Sequence, residues 1–171
     1  MTEIIPHDIE PGSGERNRME AVTDRSVHGM ALAKAIHANL RRRTLREVRI
    51  IDRHVGMTGP TEPLAPIGKD FGLTEDEVRL EIEAFARDVF VDQEGVRLLA
   101  RQCLAAVAAG PVAIRDLPAC DEIFEGLDAH PHLVEPAFRL ARMIAADVEF
   151  PSVVVLDGEP SLAGWVAWMD A

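Results

Sequence analysis

The chain has 171 residues, 18 Lys and Arg against 29 Asp and Glu, and a formal net charge of −11. That length suits one domain, or one domain with appended segments, and an apolar content of 47% excludes a wholly disordered chain. No apolar run reaches the ~18–20 residues of a membrane span, and the opening MTEIIPHDIEPGS lacks the basic-then-apolar layout of a signal peptide. Cys103 and Cys120 are too few for a disulfide scaffold. The expectation is a soluble cytoplasmic protein.

The charge is unevenly divided. Residues 1–60 carry ten Lys and Arg and eight Asp and Glu, whereas residues 61–171 carry eight and 21. Lys34 to Arg53 holds Lys34, Arg41, Arg42, Arg43, Arg46, Arg49 and Arg53 against Glu47 and Asp52, a local balance of +5. Asp70 to Glu94 holds nine acids against Arg79 and Arg87, a balance of −7. A negative total therefore does not exclude a phosphate-bearing partner; it excludes a uniformly basic, self-sufficient DNA reader. Mutual neutralisation of the two segments inside one folded unit is the alternative.

In chain order, residues 1–24 combine prolines, glycines and charges without periodicity and read as a mobile tail. From Ser26 the spacing of Val27, Met30, Ala31, Lys34, Ala35 and Ala38 is helical. Thr44 and Glu47 have capping-box spacing, opening a helix from Leu45 to about His54. Leu45, Val48, Ile51 and Val55 are expected on its buried face and Arg46, Arg49 and Arg53 on the other, with Gly56 ending it. Pro66 suits the first turn of a short helix carrying Ile67 and Phe71 inward, which Gly72 terminates. Thr74 with Glu77 repeats the capping box, and the helix that follows packs Val78, Ile82, Phe85 and Val89. Two short helices joined by a tight glycine turn are a helix-turn-helix pattern.

The stretch from Leu45 to Val89 resembles the fourth conserved region of bacterial primary-type sigma factors, a helix-turn-helix module that contacts the upstream promoter element. The pieces that carry the resemblance are LREVRIIDRHVG, the spacer MTGPTEPLAP, the first helix IGKDFG and the opening of the second, LTEDEVR. It covers about a quarter of the chain, and it implies that Thr74, Glu75, Asp76, Glu77 and Arg79 begin the groove-facing recognition helix. The pattern is degenerate: Glu75, Asp76 and Glu77 stand where the family favours arginine, Leu80 takes the base-reading polar position, and Ile82 falls one place late.

Beyond it, Glu94 to Ala109 is helix-forming and apolar on most of its circumference, and Gly110-Pro111 stops it. Leu117 to Leu127 and Pro131 to Glu149 read as two more helices, the second carrying Leu133, Pro136, Ala137, Leu140, Ala141, Ile144 and Ala145. Ser152 to Leu156 is a β-branched run suited to an edge strand. Pro160 and Ser161 are expected to open a small amphipathic helix with Leu162, Trp165, Val166, Trp168 and Met169 on one side. The fold class is mainly α, divided as a tail at 1–24, a sigma-like helix-turn-helix domain at 25–92 and an acidic helical region at 93–171, which packs on it or forms an interface.

No catalytic constellation emerges, so a non-enzyme is expected, with no cofactor. Asp128, His130, His132 and Glu135 have metal-ligand chemistry, but Pro131 between the histidines marks a helix-entry turn, and no metal site is assigned. Two function classes remain. In the first, Arg41, Arg42, Arg43, Arg46, Lys69, Thr74 and Arg79 contact DNA in a DNA-binding or transcription-machinery-binding regulator. In the second, an inhibitor- or antitoxin-like interaction module keeps the helix-turn-helix as scaffold and binds RNA polymerase or another basic protein. There Glu75, Asp76 and Glu77, with Trp165 and Trp168, form the binding surface; the alternative for the two tryptophans is to anchor the terminal segment to the helical body as core. Homodimerisation through the acidic second half is a further candidate, and no membrane partner is expected.

Overall fold

A computed structural model describes residue 27 and residues 31–117 and 122–164. Among these residues the protein is mainly α, with six α-helices and one small antiparallel sheet. The helices are α1 (Leu32–Leu40), α2 (Leu45–Val55), α3 (Leu64–Phe71), α4 (Glu75–Phe90), α5 (Gln93–Ala106) and α6 (Val134–Ile144). The strands are β1 (Val112–Ala113), β2 (Ser152–Leu156) and β3 (Glu159–Ala163), in the order β1-β3-β2. No helix is long and apolar enough to cross a membrane.

The first half follows its sequence signals closely. Thr44 caps α2 and Thr74 caps α4, each by a complete capping box with Glu47 or Glu77. Gly56 and Gly72 end α2 and α3 in the left-handed conformation. The connection Gly72–Thr74 is held by the Leu73 amide donating to the Gly68 carbonyl at 2.8 Å. The turn thus lies directly on α3, and a Cβ on Gly68 would stand 2.5 Å from the Leu73 carbonyl oxygen. Only glycine admits that approach.

Two expectations shift in register. Leu45 is 66% exposed, because it occupies the first position of α2 with nothing packed over it, and the buried face is Ile50, Ile51 and Val55. Helix α1 begins at Leu32, after Ala31, and buries Leu32, Ala33, Ala35, Ile36 and Asn39, which leaves Lys34 exposed.

Helix α4 turns inward along most of its length: Val78, Ile82, Phe85, Ala86, Val89 and Phe90 are all fully buried. It ends at Val91, whose φ of +62° and ψ of −53° place it in a γ-turn, with Asp92 donating to the Phe90 carbonyl at 2.7 Å. A β-branched residue is strained there.

The second half departs further from expectation. Helix α5 buries one stripe (Gly95, Val96, Leu99, Ala100 and Cys103) rather than most of its circumference, and Leu104 is exposed. Of the helix expected over Leu117 to Leu127, residues 118–121 lie outside the described residues, and beside them stand short 3-10 turns at Ile114–Asp116 and Glu122–Phe124. A third, Pro131–Leu133, leads into α6, which stops at Ile144, short of Glu149. Pro136 sits in the first turn of α6, where its missing N–H has no helical partner to lose. β2 is an edge strand as expected, but Pro160 and Ser161 belong to β3, not to a helix. The Asp157-Gly158 turn, with both residues at positive φ, folds Glu159–Ala163 back on β2, pairing Val154 with Ser161 and Leu156 with Glu159. Trp165, Val166, Trp168 and Met169 lie outside the described residues, as do the tail at 1–24 and Cys120.

One continuous core joins the two halves. Helix α6 packs against α4, α2 and α5, and the Arg139 guanidinium donates to the Val55 carbonyl at the end of α2 at 2.6 Å.

Gly68→Ala is expected to cost about 1–3 kcal/mol by overpacking, seen as a lower midpoint in urea. Gly59→Ala, which meets nothing within 4 Å, is expected to leave the midpoint unchanged. Val91→Gly is expected to raise the midpoint, since relief of a strained φ is worth about 1 kcal/mol.

Candidate interaction surface

The surface offered to a partner is decided by which charges the fold spends on itself. Arg43 is spent: it pairs with Asp88 at 2.6 Å, and its guanidinium lies 5.5 Å from the Phe85 ring centroid. It fastens the α1–α2 loop to α4. Arg46 donates to the Phe71 carbonyl at 3.3 Å, across to the end of α3. Arg53 meets Glu62 through two nitrogens, at 2.9 and 2.5 Å, and Asp70 at 2.8 Å, beside the Phe71 ring. This fork ties the end of α2, the loop that follows it and α3 together, while Asp52 accepts from the Thr58 amide and hydroxyl within that loop.

Four cations of the basic stretch and its neighbour, Arg41, Arg42, Arg49 and Lys69, are exposed and enter neither an ion pair nor a side-chain hydrogen bond among the described residues. Of the proposed DNA-contacting set, then, Arg41, Arg42 and Lys69 present free charge, whereas Arg43 and Arg46 serve the fold. Arg49, equally free, was legible in the basic run as part of the polar face of α2.

The start of α4 is built differently. Thr74 accepts from the Glu77 amide at 3.2 Å, while the Glu77 carboxylate accepts from the Thr74 amide at 2.8 Å. Thr74 and Glu77 are thereby committed to each other. Arg79 turns back to Asp76 at 2.6 Å, three residues earlier. Glu75 and Leu80 face solvent, Leu80 with 61% of its surface exposed. The first two turns of α4 thus show acid, an internally neutralised arginine and an exposed leucine. Acids in this position also meet the positive end of the helix dipole, which stabilises them there. Trp165 and Trp168 lie outside the described residues.

Among the described residues no group of three or more His, Cys, Asp or Glu side chains is arranged to hold a metal ion. His130 and His132 instead stack edge-on, with ring centroids 5.9 Å apart. Cys103 is a buried residue of the α5 stripe.

Comparison with family models, with curated proteins and with solved structures finds no match to this chain.

Two carboxyls register the capping and fork interactions directly. The Thr44 amide and then its hydroxyl hold the Glu47 carboxyl below its usual 4.5, and the Arg53 fork does the same for Glu62. A carboxyl whose folded pKa lies below its unfolded value contributes stability that is fully present above the unfolded value, here 4.5. That contribution is lost as pH falls through the folded value. Unfolding midpoints are therefore expected to fall on acidification below this range, and Glu47→Gln and Glu62→Gln should each flatten that acid limb when midpoints are recorded against pH.

Proposed function

We propose that this chain is a regulatory interaction protein that uses its helix-turn-helix as a docking scaffold and binds a basic protein surface through the start of α4. One observation carries the reading. The helix that would read bases presents Glu75, Asp76 and the exposed Leu80, and Arg79, the cation in those turns, is paired with Asp76. A leucine within an acidic rim suits a protein contact with an apolar centre and a charged edge, and acids facing phosphates are repulsive. The resemblance to sigma region four supports the transcription machinery, RNA polymerase included, as the source of that basic partner.

Affinity purification from the native host, with nuclease present, tests it. The chain is expected to retain a protein partner that Glu75→Lys/Asp76→Lys releases, with capture reduced about tenfold, the equivalent of ~1.4 kcal/mol. Retention of every partner by the reversed protein overturns the reading.

A second reading, DNA binding, is favoured by Arg41, Arg42, Arg49 and Lys69, whose charges are exposed and unspent among the described residues. These cations would contact phosphates and fix position rather than read sequence. It requires a duplex shift at low salt, with a log–log salt slope that drops by about 0.9 for each phosphate contact removed in Arg41→Ala, Arg42→Ala and Arg49→Ala. Absence of a shift at low salt ends that reading for the isolated chain.

A further inference from the structure

A cavity of about 440 Å³ opens beside α1, lined by Lys34, His37, Ala38, Arg41 and His130. None of these residues belongs to α4. Three imidazoles gather here: His37 and His130 lie edge to face with centroids 4.9 Å apart, and His130 meets His132 at 5.9 Å. Nε2 of His37 is buried and has no hydrogen-bond partner among the described residues.

The composition of the lining says what fits. Lys34 and Arg41 bring positive charge, and Glu125 accepts from the Lys34 ammonium at 3.1 Å. A metal ion would meet two cations, and among the described residues no three His, Cys, Asp or Glu side chains are arranged to hold one. An anion would meet an ammonium, a guanidinium and imidazole N–H groups, all donors. The volume is more than ten times the ~30 Å³ share of one water molecule, so it admits a phosphate with a substituent as well as the bare ion.

We propose that this cavity binds an oxyanion of the phosphate class, held by Lys34, Arg41 and the rings of His37 and His130. The phosphate belongs to a free small molecule or to a nucleic-acid backbone; the recognition chemistry is the same.

The site is linked to pH. Among the described residues, the groups facing His37 are Lys34 on α1, Arg41 just after its end, and His130 and His132, with Glu125 turned to Lys34. From α4, Asp88 approaches α1, but its carboxylate is held by Arg43. Burial first, and then the neighbouring His130, Arg41 and His132, push the His37 imidazole below its usual 6.5, which favours its neutral form while the cavity holds no anion. A bound dianion favours the imidazolium, so binding takes up a proton and tightens as pH falls.

Sulfate is the probe, because its charge stays at two between about pH 5.5 and 8, and the readout is the imidazole NMR signals of the full chain. Saturable shifts of His37 and His130 are expected, with a Kd roughly tenfold tighter at the acid end, the value of one pKa unit. Arg41→Ala, at an exposed loop position outside the core, should weaken binding at both pH values, and His37→Gln should remove most of the pH dependence. Displacement of sulfate by phenyl phosphate alone identifies a small-molecule source; displacement by a short DNA duplex at equal phosphate identifies a backbone source. Rings that do not respond to sulfate, or that respond identically in Arg41→Ala, overturn the proposal. Loss of the α4 partner in Glu75→Lys/Asp76→Lys bears on neither outcome.

Discussion

Helix α4 is the element on which the rest of the structure depends. It packs against the five other described α-helices, and six of its side chains, from Val78 to Phe90, are fully buried. Five of the six are Val, Ile or Phe, and full burial of a side chain of that kind contributes about 1.5–3 kcal/mol. The opposite face of the helix stays exposed, through Glu75, Asp76, Glu77, Arg79 and Leu80 in its first two turns and Ala84, Arg87 and Asp88 farther along.

Charge pairing then divides the remaining surface. Individual exposed ion pairs contribute little stability, yet they determine which side chains are free to meet something else. Arg43 and Arg53 are doubly engaged, each with a carboxylate and an aromatic ring, and Arg79 is closed on Asp76. Arg41, Arg42, Arg49 and Lys69 keep their charge for solvent or a ligand, and Arg41 also borders the histidine cavity. The acidic and basic stretches neither cancel one another completely nor form two independent faces; each is partly consumed in joining α1, α2, α3 and α4.

The second half completes the core of the first. Arg139 on α6 reaches the carbonyl at the end of α2, and Leu162 on β3 enters the shared apolar cluster. The inward sides of α6 and of the sheet are therefore covered by the protein itself. The outward edge of β2 is different: Val155 and Leu156 are exposed there, and an unpaired strand edge is a surface that other chains can pair with.

The sequence by itself determined the elements whose signals are local. Thr44 with Glu47 and Thr74 with Glu77 are self-contained hydrogen-bond exchanges, and Gly56 and Gly72 answer a backbone conformation, so α2, α3 and α4 could be placed from spacing alone. The inward face of α4 followed from its period. What the tertiary structure decided is everything that rests on residues distant in the chain. Glu159–Ala163 carries helix-compatible residues and became a strand because β1 and β2 supply hydrogen-bond partners on both its edges. Leu45 fits an apolar face and is exposed because no neighbour covers the first turn of α2. His37 meets His130 across more than ninety positions of sequence, and no spacing rule reaches that far. The charges of the basic run could be counted in advance, but which of them remained available depended on where Asp88, Glu62 and Asp70 came to lie. Charge is a property of composition, whereas its availability is a property of three-dimensional pairing.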